Sequence, residues 1–309
     1  SSSYNKIYGN NITNNFEGVS LYSSFHNTIS GNNVTSNNGY GVYLDYSYYN
    51  TIDGNVIINN DEGVTLEDSS YNTISSNVIT LNNDCGIVLE SSEHTSTNNS
   101  VYGNCITDSY YGVILDYSYY NTISGNNVTN NTHGVSLHAS SKNTVTGNNI
   151  TSNLLDGVIL YDSSRNTVSG NNITANIKAG VYLYSSGNNT ICGNNVTDNG
   201  YGAYLDDSLY NYMYHNHFIN NTIQVFADNA TWNGWDDGYP SGGNYWSDHP
   251  CIDDDHDDIC DSPYVINENN VDNYPIIPEF PSLILLPLFM LGTLPAAVLF
   301  RKKRRESHE

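Results

Sequence analysis

Single apolar residues or short apolar pairs, which we call apolar points, are separated by polar turn-forming residues along most of this chain. This pattern recurs at a nearly constant period. Each repeat begins with an Asn that is followed two residues later by an apolar residue. Successive marker Asn residues stand 22 or 23 residues apart, with one spacing of 27 residues. They are Asn5, Asn27, Asn50, Asn72, Asn99, Asn121, Asn143, Asn166, Asn189 and Asn211. A period of this size is typical of a solenoid.

Each repeat holds three apolar points separated by Gly and Asn residues. In residues 121–142 these points are Ile123, Val128 and the pair Val135 and Leu137. Apolar and polar residues alternate around that pair, as in a strand, and Gly and Asn suit turns. No window has a useful helical period. We therefore predict an all-β fold, a parallel β-helix of about ten coils with 22–23 residues in each coil.

When the repeats are aligned, two positions hold the same residue type in nine of them, which supports this division into coils; we call each such set of equivalent positions a column. A glycine precedes the last apolar pair in nine repeats, which indicates a positive φ or a close approach of backbones. These glycines are Gly18, Gly41, Gly63, Gly86, Gly112, Gly134, Gly157, Gly180 and Gly202. The Leu that follows each of them should form one inner stack: Leu21, Leu44, Leu66, Leu89, Leu115, Leu137, Leu160, Leu183 and Leu205. The marker Asn side chains should pass amide hydrogen bonds from coil to coil.

Over residues 1–222 the repeat resembles that of NosD-like proteins and of the carbohydrate-binding and sugar-hydrolase β-helix superfamily. That resemblance, with the general rule for parallel crossovers, implies a right-handed coil. It also implies a periplasmic or extracellular protein that handles glycans or copper. The chain has two Met and an isolated His215-x-His217 pair, so its residues favour copper only weakly.

Residues 223–277 break the repeat and contain all three Trp residues of the chain, Trp232, Trp235 and Trp246. A stack of strands leaves an apolar end that must be covered, and aromatic side chains cover it well. The stretch 235–248 also resembles the segment that closes archaeal NosD-like helices. We predict a C-terminal cap here.

An acidic loop inside this cap places oxygen ligands at alternate positions. The carboxylates of Asp253, Asp255, Asp257 and Asp261, with the carbonyl of Ile259, follow the alternation of calcium loops. The loop resembles thrombospondin-type and dockerin-like repeats. We predict a structural Ca²⁺ ion, with a solvated acidic loop as the alternative.

Two residues depart from the pattern of a complete calcium loop, and two cysteines near the ends of the loop are expected to link it. Asp258 replaces the usual Gly, and Tyr264 stands where an EF-hand has Glu, so a complete EF-hand is excluded. Cys251 and Cys260 are close in sequence and are expected to form a disulfide, which would tie the loop together.

Residues 278–309 have the layout of a membrane anchor. Residues 280–300 form an uncharged transmembrane segment of 21 residues, and the basic tail 301–309 follows. With Pro278 and Glu279, the layout resembles the archaeal PEF-CTERM signal, which implies processing by an archaeosortase-type enzyme. A plain membrane anchor is the alternative. The chain opens inside a repeat with no leader, so we expect a processed chain or a fragment.

The strongly negative net charge of the chain restricts the classes of molecule that it can bind. The chain has 32 acidic and 9 basic residues and a net charge of −23, which excludes nucleic acid as a partner. Directly after the Leu column stand Asp45, Glu67, Glu90 and Asp116. At ~5 Å spacing these carboxylates would raise one another's pKa or recruit a cation. A cation-bridged acidic sugar is one interpretation, and a solvated turn is the other.

A second candidate column lies one residue before the marker Asn and includes Tyr49, Tyr71 and Tyr120. These rings suit stacking on sugars, and they suit equally a structural role at a turn. We expect a cell-surface, membrane-anchored protein that binds a polysaccharide, a surface glycoprotein or another envelope component without catalysis. A lyase or hydrolase that uses the acidic column and a metal-handling accessory protein are the alternatives.

Overall fold

The computed structural model describes residues 2–92 and 96–277. These residues form a right-handed parallel β-helix of about ten coils, and each coil gives one strand to each of three parallel sheets. The predicted all-β solenoid is therefore confirmed. No helix within this part of the chain is long and apolar enough to cross a membrane. The predicted transmembrane segment 280–300 and the rest of 278–309 lie outside the described residues.

The strands are short and their order in each sheet follows the coils. The first sheet contains Lys6–Tyr8, Thr28–Ser30, Thr51–Asp53, Thr73–Ser75, Ser100–Tyr102, Thr122–Ser124, Thr144–Thr146, Thr167–Ser169, Thr190–Cys192 and Tyr212–Tyr214. The second contains Asn11–Thr13, Asn33–Thr35, Val56–Ile58, Val78–Thr80, Cys105–Thr107, Asn127–Thr129, Asn149–Thr151, Asn172–Thr174, Asn195–Thr197, His217–Ile219 and Tyr245–Trp246. The third contains Val19–Tyr22, Tyr40–Asp45, Glu62–Glu67, Cys85–Glu90, Tyr111–Asp116, His133–His138, Val158–Tyr161, Ala179–Tyr184, Tyr201–Asp206 and Ile223–Asp228. Tyr264–Asn267 and Asn270–Asp272 form a separate antiparallel pair.

Apolar side chains fill the inside of the coils in stacked columns. In one coil Ile123, Val128, Val135 and Leu137 are all fully buried, and equivalent residues occupy the same places above and below them. The predicted Leu stack is present and its members pair in register from strand to strand. Because each coil repeats the same inward positions, burial of modest apolar side chains is enough to hold the solenoid together.

Asn side chains form ladders at the corners, and the predicted marker ladder is one of them. The backbone N–H of Asn121 donates to Oδ1 of Asn143 (2.8 Å), and Asn143 continues through Nδ2 to Oδ1 of Asn166 (3.3 Å). A second ladder includes Asn126 and Asn148, and a third occupies the corner between the second and third sheets. The ladders satisfy backbone groups that turn inward, where water cannot reach them.

The glycine column reflects close backbone approach and not a positive φ. A Cβ on Gly134 would lie 2.3 Å from the carbonyl oxygen of Gly157 and 2.6 Å from Cγ2 of Ile150. Positive φ values occur instead at the corners, for example at Tyr120 (59°) and Gly125 (60°). The coils therefore stack too closely at the glycine column to admit a side chain.

The solenoid continues past residue 222, where the sequence repeat breaks, because Ile223–Asp228 pairs in register with Tyr201–Asp206. Trp246 stacks on Phe218 (ring centroids 4.6 Å apart) and on Tyr264 (4.2 Å). The Trp246 indole N–H donates to Oδ2 of Asp272 (2.9 Å), which also accepts from the backbone N–H of Asn244 (2.7 Å). These contacts cover the C-terminal end of the apolar columns.

Candidate functional site

The outer side of the third sheet carries three columns of side chains, which we call the third-sheet face. Val and Leu of each strand point inward, and the residue after each of them points outward. The Gly before the Val also faces the interior, where a Cβ would meet core side chains, so the residue before that Gly lies on the outer side, as the stacking of Tyr40 on Tyr43 shows. The first column is Tyr40, Glu62, Cys85, Tyr111, His133, Asp156, Ala179 and Tyr201. The middle column is Tyr43, Thr65, Val88, Ile114, Ser136, Ile159, Tyr182 and Tyr204. The last column is Asp45, Glu67, Glu90, Asp116, His138, Tyr161, Tyr184 and Asp206.

The predicted acidic column occupies four successive coils of this face. Asp45 pairs with Glu67, Glu67 with Glu90, and Glu90 with Asp116 in the strand register. Burial raises the pKa of Glu90 to about 7, and the neighbouring carboxylates of Glu62 and Glu67 add to that rise. Burial, then the charge of Glu67, also raises the pKa of Asp45. The column therefore holds negative charge at an energetic cost that a bound cation would relieve.

Aromatic rings border the acidic column at its N-terminal end. Tyr40 and Tyr43 stack with ring centroids 4.5 Å apart, and both rings are partly exposed. The Tyr43 hydroxyl donates a hydrogen bond to Glu67, and the Thr65 hydroxyl donates to Glu62. These bonds fix the orientation of the two glutamates relative to the rings.

A polar cluster in the middle of the face was not predicted from the sequence. Nδ1 of His133 lies 3.5 Å from Oδ2 of Asp156, and Nζ of Lys178 lies 3.4 Å from the same oxygen. Ser136 is fully buried between the outer columns, and its hydroxyl has no hydrogen-bond partner. Burial lowers the pKa of His138, so this imidazole is neutral at neutral pH. The three coils involved carry different residues here, so repetition gave no signal for the cluster.

The C-terminal end of the face is aromatic. Tyr204 stacks with Tyr182 (5.1 Å between centroids) and with Tyr201 (5.3 Å). Tyr161 stacks with Tyr184 at 4.8 Å. All these rings are at least partly exposed, so the end of the face offers an aromatic surface beside polar groups.

The predicted Tyr column lies elsewhere, on the corner that leads from the third sheet to the first. Tyr49 stacks between His26 and Tyr71, with ring centroids 5.1 and 5.0 Å away. Nζ of Lys142 lies over the ring of Tyr120, 4.9 Å from the ring centroid. Because neighbouring groups cover the ring faces, this column presents mainly ring edges and hydroxyls. It does not join the acidic column in one site.

The acidic loop brings three of its predicted ligands together. Oxygen atoms of Asp253, Asp255 and Asp257 lie within 4.8 Å of one another. Asp261 instead accepts a hydrogen bond from the backbone N–H of Asp254 (2.9 Å), and Ile259 is buried. Oδ1 of Asp253 accepts from the backbone N–H of His256 (2.7 Å), which curls the loop around this carboxylate.

The disulfide expected from the sequence is present beside this loop. Cys251 and Cys260 are joined, with their Cα atoms 5.1 Å apart. The remaining cysteines are free thiols: Cys85 in the third sheet, Cys105 in the second and Cys192 in the first.

The coils and the open polar face define a right-handed parallel β-helix protein. A family model described as periplasmic copper-binding protein (NosD) matches residues 1–105 and 92–251. The chain therefore belongs to the NosD family. None of the curated protein sequences matches the chain.

Solved structures share this fold at low sequence identity. A mutant of the periplasmic alginate epimerase AlgG is 18% identical, with a TM-score of 0.55, over 75% of this chain and 76% of that chain. The Azotobacter vinelandii mannuronan C-5 epimerase AlgE4 A-module is 18% identical, with a TM-score of 0.52, over 71% and 63%. Arthrobacter chlorophenolicus A6 DFA-IIIase in complex with GF2 is 14% identical, with a TM-score of 0.55, over 69% and 63%. At these identities the likeness establishes the fold alone.

The described residues do not fit the copper ion in the family's description. Copper favours imidazole, thiolate and thioether ligands. Across residues 2–92 and 96–277, only Asp253, Asp255 and Asp257 form a group of three or more His, Cys, Asp or Glu ligands within 4.8 Å of one another. The three free thiols lie in three different sheets. A ligand set made only of carboxylates suits a hard cation instead.

Proposed function

We propose that this protein binds an extended glycan along the third-sheet face, outside the cytoplasm, and does not transform it. The observation that carries the proposal is the last column of the face, which has a carboxylate, an imidazole or a tyrosine in every coil from Asp45 to Asp206. Partly exposed, stacked tyrosines lie at both ends of the face, Tyr40 and Tyr43 at one end and Tyr182 and Tyr204 at the other. Aromatic faces pack against sugar rings, while carboxylates accept hydrogen bonds from hydroxyl groups.

The dimensions of the face suit a polymer better than a single sugar. Residues of the same column repeat at ~4.8 Å from coil to coil, so polar and aromatic groups recur along the whole last column. The solved structures named as alginate and mannuronan epimerases and as DFA-IIIase support this choice, since each of those names refers to a saccharide. The periplasmic descriptions of NosD and AlgG support a location in the cell envelope.

The test is a glycan array followed by affinity measurements on the glycans retained. We expect Tyr204→Ala to weaken binding by about 2- to 10-fold, the loss that one aromatic contact produces. Tyr212→Ala is the matched control, because Tyr212 is an exposed ring on the first sheet. Equal losses in the two variants, or no retained glycan, would refute the proposed site.

Catalysis at the acidic column is the second candidate, and the pKa of Glu90, about 7, favours it. A glutamate that is half protonated near neutral pH can donate a proton to a leaving group, and its coil neighbour Asp116 is a second carboxylate. Product analysis separates this candidate from binding alone. New reducing ends or unsaturated sugars that disappear in Glu90→Gln would establish turnover.

We also propose that Asp253, Asp255 and Asp257 bind a structural Ca²⁺ ion beside the Cys251–Cys260 disulfide. The convergence of three carboxylates within 4.8 Å supports this assignment. Calorimetric titration of the full chain should detect one site that is lost in Asp255→Asn. Absence of Ca²⁺ binding to the unaltered chain would remove the proposal.

For residues 278–309 we propose a membrane anchor of PEF-CTERM type that an archaeosortase-type enzyme processes. The uncharged run and basic tail in the sequence support it. Mass spectrometry of the C-terminal peptide from native cells tests it. A peptide that ends upstream of residue 280 supports processing, whereas recovery of the intact tail from the membrane fraction supports a plain anchor.

A further inference from the structure

We infer that the outer side of the second sheet, which we call the second-sheet face, is the surface through which two copies of this chain associate. This surface is separate from the third-sheet face, and the inference goes beyond the proposed glycan binding. The decisive observation is a long face without acidic or basic side chains, on a chain of net charge −23, with exposed apolar side chains within it.

The second-sheet face avoids the negative charge that the rest of the chain carries. Each three-residue strand of this sheet turns its middle residue into the core and its first and third residues outward. Among the described strands, from Asn11–Thr13 to Tyr245–Trp246, none of these outward residues is Asp, Glu, Lys or Arg, and most are Asn or Thr. Acidic residues begin outside the strands, for example Asp108 and Asp198 at the corner that follows the sheet. Two strongly negative chains therefore meet with least repulsion through this face.

Four apolar side chains interrupt the Asn and Thr pattern in two neighbouring coils, and we call them the apolar patch. Val56 (37% exposed) and the half-exposed Ile58 lie in one strand, and Val78 (43% exposed) pairs with Val56 in the next. Leu81 (57% exposed) follows at the corner with a φ of 55°, where the other coils have Asn, Ser, Asp or Ala. Contiguous exposed apolar side chains with a polar rim mark contact surfaces.

The polar part of the face is already ordered and lacks projecting side chains at one edge. Nδ2 of Asn149 donates to Oδ1 of Asn127 (2.7 Å), and Nδ2 of Asn172 donates to Oδ1 of Asn149 (2.8 Å). The corner that precedes the sheet holds glycine in most coils, for example Gly125 and Gly147. Because few side chains must be immobilised when a partner binds, the entropic cost of association is low.

The dimensions of the face fit a second copy of the same chain. The sheet has eleven strands. At ~4.8 Å between strands and ~3.3 Å per residue, the face measures about 50 Å by about 10 Å. Two such faces would bury about 1,000 Å² in total, the lower limit for a specific interface, so we expect a dimer of micromolar affinity. A two-fold axis parallel to the direction of coil stacking brings the two apolar patches to the same height, and it leaves both C-terminal ends on one side, as the proposed membrane anchor requires.

The experiment measures association by sedimentation velocity of the full chain in a nonionic detergent, over a range of protein concentrations. We expect a monomer–dimer equilibrium that tightens as salt is added, because salt screens the repulsion between the charges that surround the interface. Val78→Asp should raise the dissociation constant of the dimer at least about tenfold, because it places like charges in the interface. The matched control is Val265→Asp, at an exposed valine of the C-terminal cap, which should leave the dissociation constant unchanged.

The native thiol of Cys105 provides a second readout on the same face. Cys105 is a free cysteine that pairs with Val78 in the strand register, in the same outward column. Packed sheets lie ~10 Å apart, so the two Cys105 thiols of a dimer should be within reach of a bis-maleimide about 10 Å long. We expect a covalent dimer from the unaltered chain and none from Cys105→Ser or Val78→Asp. Thermal unfolding of each variant checks that the solenoid is intact.

Three results would overturn the inference. The first is a chain that stays monomeric at every concentration. The second is a dimer that persists unchanged in folded Val78→Asp, which would place the association in another part of the chain. The third is loss of glycan binding in Val78→Asp with association unchanged, which would assign this face to a glycan. A blank glycan array with an intact dimer would refute the proposed function and leave this inference standing.

Discussion

Replacement of Asn148 by Ala should destabilise the solenoid far more than the same change at the adjacent Asn149. Nδ2 of Asn148 donates to the carbonyl oxygens of Ile123 (2.9 Å) and Thr146 (3.2 Å), and its Oδ1 accepts from the backbone N–H of Asn126 (2.9 Å). Asn148 is buried, so water cannot replace these bonds. Each buried polar group left without a partner costs about 1–3 kcal/mol.

The Ala variant leaves the N–H of Asn126 and the carbonyl of Ile123 without this partner, so we expect a loss of about 2–5 kcal/mol. Such a loss is a large fraction of the stability of a typical domain. The side chain of Asn149 is exposed and bonds Asn127 (2.7 Å) and Asn172 (2.8 Å) on the outer surface. Its removal should change the free energy of unfolding by no more than about 0.5 kcal/mol.

Urea denaturation of both variants, followed by far-UV circular dichroism, measures the two free energies of unfolding. Similar losses in Asn148→Ala and Asn149→Ala would show that the inner ladder is no more important than the outer one. A loss below about 1 kcal/mol in Asn148→Ala would refute the argument that the ladder satisfies otherwise orphaned backbone groups.

Three further predictions concern single positions. Gly134→Ala places a Cβ 2.3 Å from the carbonyl oxygen of Gly157, so we expect a clear drop in melting temperature, and an unchanged value would contradict the close-approach argument. The folded-state pKa of Glu90, about 7, lies above its ordinary 4.5, so its contribution to stability is complete below pH 4.5 and is lost as the pH rises through 7. Glu90→Gln should remove about 1–2 kcal/mol of that pH dependence after allowance for solvent screening, as measured by denaturation at several pH values. Cys85 is 4% exposed and burial raises its pKa, so it should resist alkylation in the native state while the partly exposed Cys105 reacts; equal rates by mass spectrometry would contradict this.

Features that repeat could be predicted from the sequence because spatial neighbours in a solenoid are one period apart in the chain. The Leu137 stack, the Asn121 ladder and the in-register row from Asp45 to Asp116 all follow from that rule. The glycine column was predicted with two possible causes. Only the distance from Gly134 to the next coil decided between close approach and a positive φ.

Features that do not repeat depended on tertiary structure. His133, Asp156 and Lys178 meet on the third-sheet face although no two of them are the same residue type, so no column in the sequence marked them. The contact of Asp272 with Asn244 joins an antiparallel pair to the end of an Asn ladder, outside the period of the repeat. Sequence alone thus determined the coil and its register, because both follow from a fixed period. The chemistry of the face and its closure depended on which unlike side chains the coils bring into contact, and only the folded chain shows that.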